Sequence, residues 1–300
     1  MDIGIDLGGT KIEAVALEDG GGEIERLRVA TPRGDYAETI TAVAGLVERL
    51  EENHGTAASI GVGSPGAIDR RSGTVKNANS VALNGQPLGA DLRQLVGDRV
   101  VIANDADCFA LSEARDGAGA ESDPVFGVIL GTGVGGGVVV AGHLVAGVNG
   151  IAGEWGHLPL QWARPSELPG PPCYCGRSGC VETFLSGPGL ERDHAAAGGG
   201  RSSAAEIASA AAAGDAAATA SLERYADRLA RSLAAVINVV DPETIVLGGG
   251  VSNIMYWYDR VPELWARYVF SDTVVTRLVP AVHGDSSGVR GAAWLGASRR

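Results

Sequence analysis

The chain is poor in lysine and in cysteine. Its 300 residues include four cysteines, and of the 24 basic residues only Lys11 and Lys76 are lysines. Acidic residues outnumber basic ones by 36 to 24, which gives a formal net charge of −12 and a pI near 4.9. A surface with this charge repels phosphate backbones and anionic lipid, so neither nucleic acid nor a membrane surface is an expected partner.

Signals for export and for membrane insertion are also lacking. The opening residues, MDIGIDLGGT, contain no basic segment followed by a long apolar run, so we expect a cytoplasmic protein without a signal peptide. The least polar window, residues 124–148, is interrupted by glycines, which disfavour a membrane helix and favour strands joined by turns. With 45% hydrophobic residues and a mean hydropathy of +0.09, the chain can bury a core as one large or two medium domains.

Two nucleotide-binding motifs are excluded by the sequence. No G-x-x-x-x-G-K-[ST] motif occurs, so the chain has no P-loop. Residues 131–136, GTGVGG, match the dinucleotide fingerprint G-x-G-x-x-G, but that fingerprint must open a helix and the following VVVAG is strand-like. A Rossmann site is therefore not expected.

Glycine turns between short apolar strands occur twice. DIGIDL precedes GGTK and IEAVALED follows it, while VFGVIL precedes GTGVGGG and VVVAG follows it. Helix-like segments at residues 36–52 and 203–237 alternate with these strands. The pattern predicts an α/β protein with two related domains and a boundary near residues 115–124.

Each glycine turn alone is typical of an ordinary hairpin, but the duplication favours a nucleotide site. Backbone N–H groups in such turns can bind phosphate oxygens. Thr10 and Thr132 lie within the turns, and Asp6 lies at the end of the strand before the first turn. A carboxylate in that position is suited to holding Mg²⁺ through water.

Three of the four cysteines lie within the segment CYCGRSGC, at positions 173, 175 and 180. A disulfide, a redox pair and a metal site are the alternatives, and a reducing cytoplasm disfavours a structural disulfide. A tetrahedral zinc site needs a fourth ligand, for which His157 in GEWGH is the best candidate by proximity. Such a Cys₃His site is closed and structural, and Cys108 is predicted to be core.

Taken together, the motifs resemble the ROK family of sugar kinases. DIGIDLGGTK, VIANDAD, ILGTGVGGG, GIAGEWGH, CYCGRSGC and IVLGGGVS occur in that family's order, and the resemblance runs from Asp2 to HGDSSGVRGAAWLG. It implies the actin-like ATPase (ribonuclease H-like) fold, with two related α/β domains around an ATP and sugar cleft. We expect a small domain of residues 1–117 plus the C-terminal helix 286–300, and a large domain of residues 118–285 carrying the zinc site.

The resemblance also implies roles for individual residues. Asp105 is the expected catalytic base, although a helix N-cap is the alternative role for Asn104 or Asp105. The family usually reads N-D-A-N here, and Asp107 replaces the last Asn. The expected sugar contacts are Asn79, Asn104, Asp105, Glu154, His157 and Glu182. The expected nucleotide site comprises Asp6, Gly8, Gly9, Thr10, Lys11, Gly131, Thr132, Gly133 and Gly249.

Within the family, VKNANSVALNGQPL together with AGEWGH most resembles fructokinase and mannokinase sequences. The expected function is therefore an ATP-dependent fructokinase that uses Mg²⁺, contains structural Zn²⁺ and forms a homodimer. Glucokinase, mannokinase and N-acetylglucosamine kinase are the alternatives within the family. ROK transcriptional repressors carry a helix-turn-helix ahead of the first motif, where this sequence opens into a strand, and an actin-like filament protein would have no use for the Cys₃His cluster.

Overall fold

The computed structural model describes residues 1–69, 71–78 and 80–298. The chain forms two compact units, of which the first comprises Met1–Glu121, Gly137–Ala152 and Val282–Arg300 and the second comprises Ser122–Gly136 and Gly153–Ala281. Residues 137–152 lie in the first unit, whereas the predicted large domain of residues 118–285 included them. Gly137, which opens this stretch, packs closely on a helix of the first unit, where an added Cβ would lie 2.8 Å from the Ala110 Cβ.

The elements of the first part of the chain alternate as predicted. In order they are β1 (Asp2–Leu7), β2 (Lys11–Leu17), β3 (Glu23–Ala30), α1 (Tyr36–His54), β4 (Ser59–Ser64), β5 (Ala67–Ile68), β6 (Val75–Lys76), α2 (Leu88–Val96), β7 (Val100–Asn104) and α3 (Asp105–Arg115). The Asp35 side chain caps α1 by accepting the Glu38 N–H, and α1 ends at Gly55, which has a φ of 88°. Its apolar positions are spaced to bury one face in the core.

The remaining elements continue the alternation. They are β8 (Val125–Leu130), β9 (Val134–Val140), β10 (His143–Leu144), α4 (Val181–Leu185), α5 (Gly187–Ala196), α6 (Ala204–Ala212), α7 (Ala216–Val240), β11 (Thr244–Gly248), α8 (Tyr256–Trp265), β12 (Arg277–Pro280) and α9 (Ser287–Ala297). The predicted helical stretch of residues 203–237 is two helices, because Gly214 has a φ of 91° and Asp215 caps α7. Short 3₁₀ turns include Trp155–His157.

The sheet of the first unit has the order β3-β2-β1-β4-β7. β1 and β2 form the predicted hairpin, and β1, β4 and β7 are parallel neighbours, so their carboxyl ends meet at one edge. Helix α9 packs closely on β1 and β4. A Cβ at Gly61 would lie 1.7 Å from the Ala292 carbonyl oxygen, so only glycine allows this approach.

The second sheet has the order β10-β9-β8-β11-β12. β8, β11 and β12 are parallel, so the carboxyl ends of β8 and β11 lie side by side. β9 is a strand, as predicted, and no Rossmann helix follows the GTGVGG turn. Among the described residues, no helix is long and apolar enough to cross a bilayer.

A buried ion-pair network joins α7 to the segment 161–168. Arg231, whose side chain is 1% exposed, donates to the Gln161 and Trp162 carbonyl oxygens and to the Glu167 carboxylate at 2.8–3.1 Å. Arg228 donates from Nε to the same carboxylate at 2.8 Å. Burial acts to raise the pKa of Glu167, but hydrogen bonds from Arg231, the Arg164 backbone and Arg228 lower it to about 2. The segment leading to the cysteines is therefore fixed to α7.

Candidate active site

The first glycine turn, Gly8–Lys11, joins β1 to β2. A Cβ at Gly8 would lie 2.8 Å from the Lys11 carbonyl oxygen, so the turn requires glycine there. Thr31 supports it from outside, because its hydroxyl donates to the Gly8 carbonyl at 2.7 Å and its N–H donates to the Thr10 carbonyl at 3.1 Å. Gly9 and Thr10 are exposed and available to a ligand.

The Lys11 ammonium is held by Glu13, a residue that the sequence analysis did not single out. Glu13 is 2% exposed and pairs with Lys11 Nζ at 3.0 Å, Arg28 Nη2 at 2.8 Å and Arg26 Nη1 at 2.5 Å. The sequence contains the information needed to predict this cluster. In KIE and in RLR the two charged residues are two positions apart, and side chains two apart on a strand lie on the same face of the sheet. Arg26 also pairs with Glu23, and Lys11 places an ammonium group beside the first glycine turn.

Asp6 and Asp105 approach one another at the carboxyl edge of the first sheet. Burial, followed by the negative charges of Asp105 and Glu13, raises the pKa of Asp6 from 3.8 to about 6. Within the described part of the chain, no hydrogen bond joins the Asp6 carboxylate to another residue. A half-buried carboxylate without a donor, beside a second carboxylate, fits a divalent cation held directly or through water.

Asn104 and Asp105 occupy the start of α3. Asn104 is the N-cap, since its Oδ1 accepts the Ala106 N–H at 2.8 Å, and its Nδ2 donates to the Gly66 carbonyl at 2.6 Å. Asp105 is exposed, and its Oδ1 also accepts the Ala106 N–H at 2.8 Å. The N-cap role considered from the sequence is therefore taken by Asn104. Asn79, predicted to contact the sugar, lies outside the described residues.

The second glycine turn, Gly131–Gly136, joins β8 to β9 in the second unit. Gly249, at the end of β11, has a φ of 81°, and a Cβ there would lie 2.5 Å from the Leu130 carbonyl oxygen. Parallel strand ends thus bring Gly249 next to the start of this turn, as the predicted nucleotide site requires. Thr132 is exposed at its tip.

The predicted metal ligands converge. The ligand atoms of His157, Cys173, Cys175 and Cys180 all lie within 4.8 Å of one another. Cys175 Sγ lies 3.6 Å from Cys180 Sγ, and Cys173 Sγ lies 3.6 Å from His157 Nδ1. A zinc tetrahedron with Zn–S bonds of about 2.3 Å has edges of roughly 3.8 Å. All cysteines are free, and the sulfur separations are far beyond a disulfide bond.

Local backbone pairing builds this cluster. Val181 N–H donates to the Leu158 carbonyl and Leu160 N–H donates to the Gly179 carbonyl, both at 2.9 Å, which places His157 beside Cys180. Cys173 N–H donates to Arg177 O at 2.8 Å and closes the loop that holds Cys175. Burial and the neighbouring cysteines raise the pKa of Cys180 to about 12, so the three thiols do not ionise together without a cation. The donor set fits zinc.

Glu154 and Glu182 flank the cluster, with Tyr174 near both. Tyr174 is 71% exposed, and its partial desolvation, followed by the charges of Glu182 and Glu154, raises its pKa to about 12. The Tyr174 hydroxyl lies 3.0 Å from His157 Nε2 and was not predicted from the sequence. Glu154 is exposed, whereas Glu182 Oε2 accepts the Val134 N–H at 3.0 Å.

Comparisons with known proteins identify the family. The profile of the ROK family matches residues 2–299. An N-acetyl-D-glucosamine kinase from Photobacterium profundum is 40% identical over 98% of this chain and 99% of its own length. The ROK hexokinase structure from Thermus thermophilus has a TM-score of 0.88 at 32% identity, covering 99% of this chain and 98% of its own. A ROK glucokinase from Streptomyces griseus, in complex with glucose and AMPPNP, has a TM-score of 0.78 at 30% identity, covering 99% of both chains.

The two sheets and their glycine turns define the actin-like ATPase class, as predicted. Within that class, this chain belongs to the ROK family of sugar kinases.

Replacing Asp6 with Asn should stabilise the protein at neutral pH. Because folding raises the Asp6 pKa from 3.8 to about 6, its contribution to stability is full below pH 3.8 and is lost as the pH rises through about 6. The difference corresponds to roughly 3 kcal/mol at pH 7.5. We expect Asp6→Asn to raise the thermal midpoint at pH 7.5, without added divalent cations, and to lose this advantage toward pH 4. Exposed Asp98 provides the control Asp98→Asn, and a lowered midpoint in Asp6→Asn at pH 7.5 would contradict the argument.

Freshly purified protein should contain about one zinc per chain by metal analysis. Cys175→Ser should lose it together with much of the thermal stability, because ligand loss and local unfolding are linked. Cys175 is exposed, so the substitution removes little packing. Cys108→Ala is the matched control and should keep the metal. A zinc-free wild type with a disulfide among Cys173, Cys175 and Cys180 would refute the assignment.

Proposed function

We propose that this protein is an ATP-dependent N-acetylglucosamine kinase that transfers the γ-phosphoryl group to the primary hydroxyl of the sugar. The supporting observation is 40% identity to an N-acetyl-D-glucosamine kinase along 98% of the chain. The sequence motifs alone favoured fructose, with N-acetylglucosamine as an alternative. The relatives support that alternative, and they give fructose no specific support.

Asp105 is the proposed proton acceptor. A sugar hydroxyl is a poor nucleophile and must lose its proton as the phosphoryl group arrives. The Asp105 carboxylate is exposed at the start of α3, and the Ala106 N–H holds its Oδ1, which fixes its direction. The Asp105 and Asp6 carboxylates repel one another, which helps to raise the pKa of Asp6. Both are therefore ionised together more readily when a cation is bound.

The phosphates of ATP are proposed to meet backbone N–H groups of the two glycine turns. Lys11, fixed by Glu13, adds a positive charge beside the first turn. Asp6 is the residue of this chain suited to hold Mg²⁺, which supplies charge neutralisation to the phosphates when bound. Gly249 leaves room for the nucleotide at the end of β11, since no side chain projects there.

The sugar hydroxyls are proposed to be bound by Asn79, Asn104, Glu154, His157 and Glu182, together with Asp105. Carboxylates are strong acceptors for hydroxyl groups, and rigid placement improves selectivity. The zinc centre would fix Glu154 and Glu182 relative to one another, because they adjoin His157 and Cys180. The metal has a structural role here, since four protein ligands leave no open position.

Substrate choice can be tested by coupled ADP release with N-acetylglucosamine, glucose, mannose and fructose. We expect kcat/KM for N-acetylglucosamine to exceed that for fructose by at least about tenfold, because a site built for a substrate amide rejects sugars that leave it unpaired. Fructose as the best substrate would restore the sequence-based assignment. No sugar-dependent ADP release with any of the four would contradict the kinase assignment.

Asp105→Asn should lower kcat by roughly 10²–10⁴, the usual range for loss of a general base. The substitution keeps shape and the bond to the Ala106 N–H but removes basicity. Sugar affinity, measured by calorimetry, should change much less than kcat. Asp107→Asn, two residues along α3, is the matched control and should turn over normally, because it restores the residue usual in the family. Near-normal turnover in Asp105→Asn would place the base elsewhere.

A further inference from the structure

The second glycine turn has little internal support. Four of its six residues are glycines, and its last three, Val134–Gly136, begin β9. Apart from strand pairing, one backbone hydrogen bond in the described chain, from Gly131 N–H to the Gly133 carbonyl at 3.0 Å, closes the turn. Glycine has many accessible conformations, so contacts from outside are needed to hold such a turn in one shape. The contacts that hold it come from later parts of the second unit.

Three hydrogen bonds fix the turn from outside. Trp155 Nε1 donates to the Gly135 carbonyl at 2.9 Å, Glu182 Oε2 accepts the Val134 N–H at 3.0 Å, and the Gly187 N–H donates to the Gly131 carbonyl at 2.8 Å. The fit is close, since a Cβ at Gly133 would lie 2.7 Å from the Glu182 oxygen.

The two side chains in this set adjoin different metal ligands. Trp155 lies on the same 3₁₀ turn as His157, and Glu182 follows Cys180 at the start of α4. Glu182 Oε1 is also 3.9 Å from Cys173 Sγ. A metal ion that joins His157 to Cys180 therefore fixes the separation of Trp155 and Glu182. That separation sets the positions of the Gly135 carbonyl and the Val134 N–H.

We propose that the Cys₃His centre positions the second glycine turn through Trp155 and Glu182, so that metal loading sets the affinity for the phosphates of the nucleotide. This rests on the proposed function in taking the turn as a phosphate site. Trp155 and Glu182 act here as positioning residues, one donating to the turn and one accepting from it. Metal loss frees both, and the turn then samples shapes in which its N–H groups no longer converge on a phosphate.

Trp155→Phe tests the proposal in zinc-loaded protein. Phenylalanine keeps an aromatic ring at this 4%-exposed position, including the edge contact with Phe126, but removes the N–H that reaches Gly135. We expect the Kd for AMPPNP, measured by calorimetry, to rise by about 3- to 10-fold, the loss of one hydrogen bond. Zinc content and sugar Kd should be unchanged. Trp162→Phe is the control, because Trp162 is 51% exposed and contacts Tyr268, with the two ring planes tilted by 39°.

The coupling is measured by repeating the nucleotide titration after zinc is removed with a chelator. Stripping should raise the AMPPNP Kd of wild type by about tenfold or more and that of Trp155→Phe by a smaller factor, because one connection is already absent. Equal factors in the two proteins, or an unchanged wild-type Kd in folded stripped protein, would overturn the proposal. If circular dichroism shows that stripping unfolds the protein, the zinc-loaded Trp155→Phe titration decides, and a wild-type Kd there overturns it.

The proposed function is judged separately. Zinc-loaded Trp155→Phe that binds AMPPNP like wild type and still phosphorylates sugar would refute the coupling and leave the kinase assignment intact. Wild-type protein without sugar-dependent ADP release would instead refute the kinase assignment.

Discussion

Three sulfur atoms and an imidazole nitrogen crowded within 4.8 Å are the arrangement on which the second unit depends. Thiolates this close repel one another, and without a cation the buried Cys180 keeps its proton well above neutral pH. A tetrahedral metal would resolve the repulsion and would join the turn of His157 to the start of α4. Glu154, Trp155 and Glu182 all project from those two short pieces of chain, so the proposed sugar contacts and the support of the second glycine turn share one origin.

The first unit has a different electrostatic problem at its sheet edge. Asp6 and Glu13 are cross-strand partners, and like charges placed opposite one another are destabilising. Glu13 is compensated by Lys11, Arg26 and Arg28. Asp6 is offset only in part by Lys11, and burial, followed by the charges of Asp105 and Glu13, raises its pKa to about 6. The Asp6 carboxylate therefore lowers the stability of the folded protein at the position where we propose that a divalent cation and phosphates bind. A bound cation there would offset the repulsion between the carboxylates.

Much of this could be predicted from sequence because it is local. Apolar strands around glycine turns predicted the β1–β2 and β8–β9 hairpins, and cysteine spacing with a nearby histidine predicted a cluster that the structure brings together. Contacts that depend on strand register or on long-range packing could not be predicted from the sequence. The ring of cations around Glu13 requires the pairing of β2 with β3, and Glu182 meets Val134 across 48 residues of sequence. The grouping of residues 137–152 with the first unit depends on such packing, including that of Gly137 against α3.

The preferred sugar likewise could not be predicted from short sequence motifs. Sugar selectivity depends on many side chains, and a short segment such as NANSVALNGQPL samples few of them, so it indicates a kinase more firmly than its substrate. Similarity along the whole chain samples all of those side chains at once and carries more weight.

The ion pairs between α7 and residues 161–168 constrain how this protein can change over evolutionary time. Neutralising Glu167 alone would leave the buried Arg231 with Asp227, at 3.1 Å, as its carboxylate partner, and losing Arg231 alone would strip two carbonyl oxygens of their donor. Single replacements are therefore strongly penalised, whereas a simultaneous exchange of the whole set for apolar residues of similar volume can be neutral. We therefore expect descendants of this sequence to keep all of the charged residues that join α7 to residues 161–168, or to have replaced all of them together.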